Sequence, residues 1–356
     1  MPVVLLLQGC MNDDELWEPE GEMPLSTGGL FIVNEGNFTY GNASLSFYDI
    51  EHKEVHHDIF YGINGLPLGD VAHSMAIRDS LGYVVINNSG RIYIIDVRTF
   101  EYVGKITGLT SPRYIHFVND AKAYVTDLYA RSIAIVNPQT YEIIGSIPVS
   151  NSNSSFFQHS TEQMLQYDKY VYTNCWSYDN QILIIDSEED RVVDSIEVLK
   201  QPNSMVLDRH NSLWVLTDGG FQESPYGYET PGLLRIKAGT RHVEIIHRFE
   251  EREKPSELKI NGTGDTLYFI NNHIFRYMVE NASAPELIIS SPYSGLAPGG
   301  YYALEVDPVT SHLYVADAID HLQRGNIYRF NSTGEPVDTF SAGITPGAFS
   351  FNPDTP

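Results

Sequence analysis

Aromatic side chains recur here in short stretches that separate runs of β-branched residues: Phe38 and Tyr40, Tyr129, Phe156 and Phe157, Trp176 and Tyr178, Phe221, Tyr226 and Tyr228, then Tyr293, Tyr301 and Tyr302. Glu35, Arg113, His159, Asp179, Asp218 and Asp320 stand among them as hydrogen-bonding or charged partners. Rings carried on loops present broad, stiff contact area at small entropic cost, and amides or carboxylates beside them orient what is bound. Such a mixture suits a large, flat, polar ligand or a partner protein better than a small anion. The candidate binding residues are therefore Phe38, Tyr40, Arg113, Tyr129, Phe157, His159, Trp176, Tyr178, Asp218, Phe221, Tyr226, Tyr228, Tyr302 and Asp320. For any one ring, packing onto a neighbouring loop is an equal alternative.

Catalytic patterns are weaker. There is no Gly-X-Ser-X-Gly elbow, and Cys175 has no histidine near it in sequence, so a half-buried thiol under the aromatic loop is expected there. Gly295-Leu296-Ala297-Pro298-Gly299-Gly300 leads into a strand rather than a helix N-terminus, which removes the phosphate-cradling option. Glu162, Glu257 and Glu305, with His73, His116 and His159, could surround a divalent metal, but each stands alone in its segment without a paired ligand spacing. No catalytic residue, metal or cofactor is assigned on this basis. A metal-dependent lactonase or lyase is the fallback to a non-enzymatic binding protein.

The 22 Lys+Arg against 46 Asp+Glu give a net charge of −24, which repels nucleic-acid phosphates and anionic lipid headgroups. No apolar run reaches the length of a spanning helix. At 42% hydrophobic and 12% aromatic residues the chain can bury a sizeable core.

The elements that must carry these loops repeat. An apolar strand ending in Asn or Asp recurs at Asn34, Asn87, Asp127, Asn174, Asp218, Asn271 and Asp317, at intervals of 40–53 residues. A second apolar strand, a third with alternating pattern and a short preceding strand complete each unit, giving four strands in each of seven units. The first unit lacks its preceding strand, and Gly347-Ala348-Phe349-Ser350-Phe351 is left over to supply it. The expected fold is all-β: a seven-bladed propeller of four-stranded blades, residues 29–356, whose first blade is closed by the C-terminal strand. Asn34, Asn87, Asp127 and Asn271 read as turn caps. Phrases such as Tyr124-Val125-Thr126-Asp127 and Leu313-Tyr314-Val315-Ala316-Asp317 resemble the YVTN-repeat propellers.

Residues 1–28 read as a signal remnant and flexible acidic tether. Val3 to Leu7 is apolar and runs into Leu7-Gln8-Gly9-Cys10, which resembles a bacterial lipobox with Cys10 as the lipid attachment site. The acidic Asn12-Asp13-Asp14-Glu15 that follows resembles the surface-export signal of Bacteroidetes lipoproteins. Lipobox, tether and propeller together resemble the cobalamin-binding BtuG-like lipoproteins. That resemblance implies an outer-membrane surface protein that captures a corrinoid and passes it to a TonB-dependent transporter. A protein- or glycan-binding propeller is the alternative.

Overall fold

The computed structural model describes residues 28–151, 158–280, 283–293 and 300–352. The repeated phrase folds as seven four-stranded antiparallel sheets. The first blade holds β1 (Gly29–Asn34), β2 (Ser44–Asp49) and β3 (Glu54–His56), and a short helix, α1 (Ile59–Asn64), leads out of it. The second has β4 (Ala72–Arg78), β5 (Leu81–Ile86), β6 (Arg91–Asp96) and β7 (Tyr102–Thr107). The third has β8 (Pro112–Asn119), β9 (Lys122–Asp127), β10 (Ser132–Asn137) and β11 (Glu142–Pro148). The fourth has β12 (Thr161–Tyr167), β13 (Tyr170–Cys175), β14 (Gln181–Asp186) and β15 (Arg191–Glu197). The fifth has β16 (Pro202–Leu207), β17 (Ser212–Thr217), β18 (Gly232–Lys237) and β19 (Val243–Arg248). The sixth has β20 (Ser256–Ile260), β21 (Thr266–Asn271), β22 (His273–Met278) and β23 (Glu286–Ile289). The seventh has β24 (Tyr301–Val306), β25 (Leu313–Asp317), β26 (Arg324–Phe330) and β27 (Pro336–Ile344). β28 (Pro346–Phe351) then pairs antiparallel with β1, Leu30 facing Phe351 and Ile32 facing Phe349, and closes the first blade as its pattern predicts.

The innermost strands β28, β4, β8, β12, β16, β20 and β24 touch in succession around a central channel. Position in the blade explains composition. The second strands, β1 or β17 for example, are buried along their whole length because blades pack on both of their faces. Outermost strands such as β7 and β15 alternate, with charged or small polar residues on the open edge. Between neighbouring blades lie separate apolar cores, such as Tyr83, Val85, Ile92 and Ile94 against Ile115, Ala123 and Val125. Trp214 is fully buried, and its indole N–H donates to Asp208 at 2.8 Å.

The polar residues that end the second strands do more than cap turns. Asn87 donates to Ser111 Oγ at 2.9 Å and to the Pro112 carbonyl at 3.1 Å, and Asn174 donates to the Pro202 carbonyl at 2.6 Å. Each therefore clamps the entry of the next blade's innermost strand. Asn34 accepts from the Gly343 N–H of the seventh blade at 2.9 Å and donates to Ser46 Oγ at 3.0 Å. Asp127 does cap, accepting the N–H groups of Tyr129 and Ala130. The clamps arise because the end of a second strand lies against the start of the adjacent blade, a neighbour the linear pattern does not reveal.

Candidate functional site

Antiparallel order puts the turns after the innermost and third strands on one face of the disc, called lower here. The connections from second to third strand, and from blade to blade, lie on the other, upper face. The aromatic loops among the described residues therefore share the upper face. Their lengths differ widely, from the single residue Asn272 to the excursion 218–231.

At the upper mouth of the channel is a cavity of ≈ 460 Å³, walled by the first residues of the innermost strands and by Glu35 and Trp176 from the loops. Its charges are paired, both across blades and within one strand. Arg113 Nε lies 2.9 Å from both carboxylate oxygens of Glu162, and Lys259 Nζ lies 3.2 Å from Glu305 and 3.5 Å from Glu257. Burial pulls Arg113 and Lys259 down, but the facing carboxylates outweigh it and both cations are held more firmly protonated than usual. Burial raises Glu162 and Glu257, partly offset by those same cations.

Glu35 differs. Burial raises its carboxyl to about 7, against a hydrogen bond from the Tyr302 hydroxyl at 3.0 Å and the charge of Arg113. Burial, with Arg113, also pushes the His73 imidazole well below its ordinary range. His73 Nε2 has no hydrogen-bond partner among the described residues, and its ring meets Tyr114 edge-on at 5.0 Å. Near neutrality the mouth thus combines fixed charges with a neutral imidazole and a carboxyl that exists in both forms. It can donate and accept toward the same ligand.

A second cavity of ≈ 510 Å³ opens beside the upper loops of the fourth and fifth blades, lined by His159, Tyr178, Asp179, Lys200, Gln201 and Tyr226 among others. Tyr178 and Tyr226 pack at 4.9 Å and Tyr178 and Phe221 at 6.2 Å between ring centroids. Between the two cavities Trp176 Nε1 donates to Asp218 at 2.9 Å, and Asp218 also accepts the Gly220 N–H at 2.8 Å. Lys254 lies over the Tyr228 ring at 5.3 Å.

The sequence profile of a domain of unknown function, DUF5074, matches residues 28–344. The chain belongs to the DUF5074 family. Among curated proteins, none matches it in sequence. Solved structures share the fold of this DUF5074 propeller. A quinonprotein alcohol dehydrogenase-like protein from Bacteroides thetaiotaomicron VPI-5482 superposes with a TM-score of 0.69 at 16% identity, covering 93% of this chain and 79% of that one. A protein of unknown function from Desulfotomaculum acetoxidans DSM 771 gives 0.65 at 12% identity, covering 91% and 98%. The periplasmic gluconolactonase PpgL of Pseudomonas aeruginosa gives 0.64 at 11% identity, covering 91% and 98%. At such identities the likeness is one of fold alone.

The DUF5074 propeller gathers Arg113, Trp176 and Tyr302 at the channel mouth and His159, Tyr178 and Tyr226 in the second cavity. Asp218, Phe221 and Tyr228 support the loops between them. Phe38, Tyr40 and Tyr129, 67%, 78% and 63% exposed, stand on the same face but wall neither cavity. Asp320 caps a turn, accepting the N–H groups of Leu322 and Gln323. Phe157 and Cys10 lie outside the described residues.

Of the channel acids, Glu162, Glu257 and Glu305 do face the mouth, but Glu162 is paired with Arg113, and Glu257 and Glu305 share Lys259. His116 instead contacts Gln166 at 3.0 Å. Lys259 and Asn203, which the sequence did not single out, are exposed to the cavity by alternation along their strands. Cys175 departs from expectation: its residue is fully buried, and His159 and Asp179 fold against it.

Proposed function

We propose that this DUF5074 propeller is a surface-anchored binding protein that captures a broad, amide-rich ligand on its upper face, a corrinoid such as cobalamin, for hand-over to a TonB-dependent transporter. Cys10 would carry the lipid anchor at the outer membrane, with the acidic segment as tether. The observation that carries this is the channel mouth. One polar cavity is ringed by Trp176 and Tyr302 and holds both donors and acceptors, on the face that also bears the variable aromatic loops. A corrinoid is wider than ≈ 460 Å³ allows, so its edge would enter the mouth while its face spreads over the loops bearing Tyr178, Phe221 and Tyr226. Arg113, Lys259, Asn203 and Glu35 would meet peripheral amides, and the rings would cover apolar area. Affinity then comes from stiff surfaces that need little ordering, and no covalent step is required.

Calorimetric titration of the chelator-treated full chain with cyanocobalamin tests this. One-to-one binding that weakens at least about tenfold in Trp176→Ala supports capture at the mouth. No heat at several temperatures overturns the corrinoid and moves the assignment to a protein or glycan ligand.

One observation favours a second function, hydrolysis or elimination on a lactone-like substrate. Glu35, raised to about 7 beside the Tyr302 hydroxyl, is poised as a general base near neutral pH. The fold shared with a periplasmic gluconolactonase is compatible with it. Turnover of a gluconolactone that is abolished in Glu35→Gln would establish it; no turnover above background would remove it.

A further inference from the structure

The fourth blade brings together three side chains that the proposed corrinoid contacts do not use. Cys175 is the last residue of β13, His159 lies two residues before β12, and Asp179 sits on the loop that follows Cys175. One ligand-capable atom from each lies within 4.8 Å of the other two. His159 Nδ1 is 2.6 Å from Asp179 Oδ2.

The frame around them is stiff. Thr161 pairs with Cys175 in register, and the Trp176 N–H donates to the Ser160 carbonyl at 3.0 Å. The His159 N–H donates to Val149 at 2.8 Å, and the Asp179 carbonyl accepts from the Gln201 N–H at 2.8 Å. Each of the three residues is thus tied by backbone hydrogen bonding or strand pairing at or next to its position, as a preorganised set of ligands must be.

We propose that His159, Cys175 and Asp179 form a binding site for a borderline-soft divalent cation of the Zn²⁺ class, with its remaining coordination position open to the ≈ 510 Å³ cavity.

Charge and ligand type both point to this class. Cys175 is buried beside the Asp179 carboxylate, an arrangement that disfavours a second negative charge when no cation lies between them. A divalent cation between them reverses the balance. Cys175 releases its proton to solvent and binds as thiolate, Asp179 binds as carboxylate, and the two negative charges neutralise the metal while His159 adds a neutral nitrogen. Sulfur, nitrogen and oxygen together exclude Ca²⁺ and Mg²⁺, which take oxygen shells. Three protein ligands with a fourth position open is the arrangement of reactive rather than purely structural zinc. His159 and Asp179 line the cavity while Cys175 lies in the core beneath, so the open position faces the cavity.

The site is independent of corrinoid capture, which is measured on metal-free protein. The reduced, chelator-treated full chain is titrated with Zn²⁺ against a chromophoric chelator, and separately with Co²⁺ under anaerobic conditions. One equivalent of Zn²⁺ is expected, and Co²⁺ should produce a thiolate-to-cobalt charge-transfer band in the near ultraviolet. Cys175→Ser should abolish that band, and His159→Gln should weaken Zn²⁺ at least about 100-fold, beyond what loss of an outer-shell partner costs. Since Cys175 is buried, His159→Gln guards against a variant that fails to fold: its melting midpoint without metal should stay near wild type, while only wild type should gain stability from Zn²⁺. Zn²⁺ bound equally by wild type and His159→Gln, or a Co²⁺ complex without the thiolate band, would overturn the site.

Discussion

The two faces of the disc are built from the same strands but follow opposite rules. On the lower face the turns between third and outermost strands are nearly uniform: Asp96, Asn137 and Asp186 each accept a backbone N–H two residues on, at 2.8 Å, 2.8 Å and 2.9 Å. Asp49 does the same for His52, three residues on. On the upper face the connections range from one residue to a long excursion, and some of their polar groups reach between loops as well as closing local turns. A carboxylate that serves only its own turn ties nothing beyond it. One that reaches across, as Asp218 does to Trp176, builds a wall. The lower face holds the scaffold, and the upper face is where the proposed recognition would take place.

That contrast can be broken by substitution. The largest effect is expected on the lower face: Asp208→Ala removes the acceptor for the His210 and Ser212 N–H groups and for the buried Trp214 indole, each at 2.8 Å. It should cost about 3 kcal/mol in denaturant unfolding, because a buried donor is left without a partner. Ligand titration of the folded fraction should be unchanged. Next, Asp96→Ala should cost about 1 kcal/mol through its lost turn bonds, again without effect on binding.

On the upper face, Glu35→Gln sharpens the comparison through pH. The folded chain holds the Glu35 proton up to about pH 7, against an ordinary value of 4.5. Below 4.5 both folded and unfolded states are protonated. Between 4.5 and about 7 only the folded state is, so this group's contribution to stability falls as pH rises, and the loss is complete above 7. Thermal unfolding across pH 4–8 should show Glu35→Gln gaining on wild type through that window. A constant difference between the two would mean that Glu35 titrates normally and the mouth is wetter than its burial implies. The smallest effect belongs to Tyr40→Ala: at 78% exposure, its loss should change stability by no more than about 0.5 kcal/mol. A larger loss would show the first blade's upper loop to be structural.

The ring of blades was legible because each second strand, buried on both faces, repeats as a continuous apolar run, and because an unpaired strand pattern remained at residues 347–351 for the one blade that lacked it. The shared face of the aromatic loops followed from antiparallel order. The pairings within the site did not. Arg113 meets Glu162 only because successive innermost strands face one channel, and nothing in either local sequence names the other. Lys259 reads as an ordinary member of an alternating strand until the channel gives its inward side a meaning. His159 and Cys175 are separated by a full hairpin strand; the signal that could have joined them was register, since a residue just before an innermost strand must lie beside the end of its partner.

Closure of the first blade by β28 also sets the order of events in synthesis. Among the described strands β1 is made first and β28 last, so the inner edge of β1 stays unpaired until the strands of every other blade have been made. The disc cannot seal before β28 is made, and until then it presents an open hydrogen-bonding edge at the strand that carries Phe31 and Val33. A chain truncated at residue 345 would retain the strands of every other blade and leave that edge unpaired.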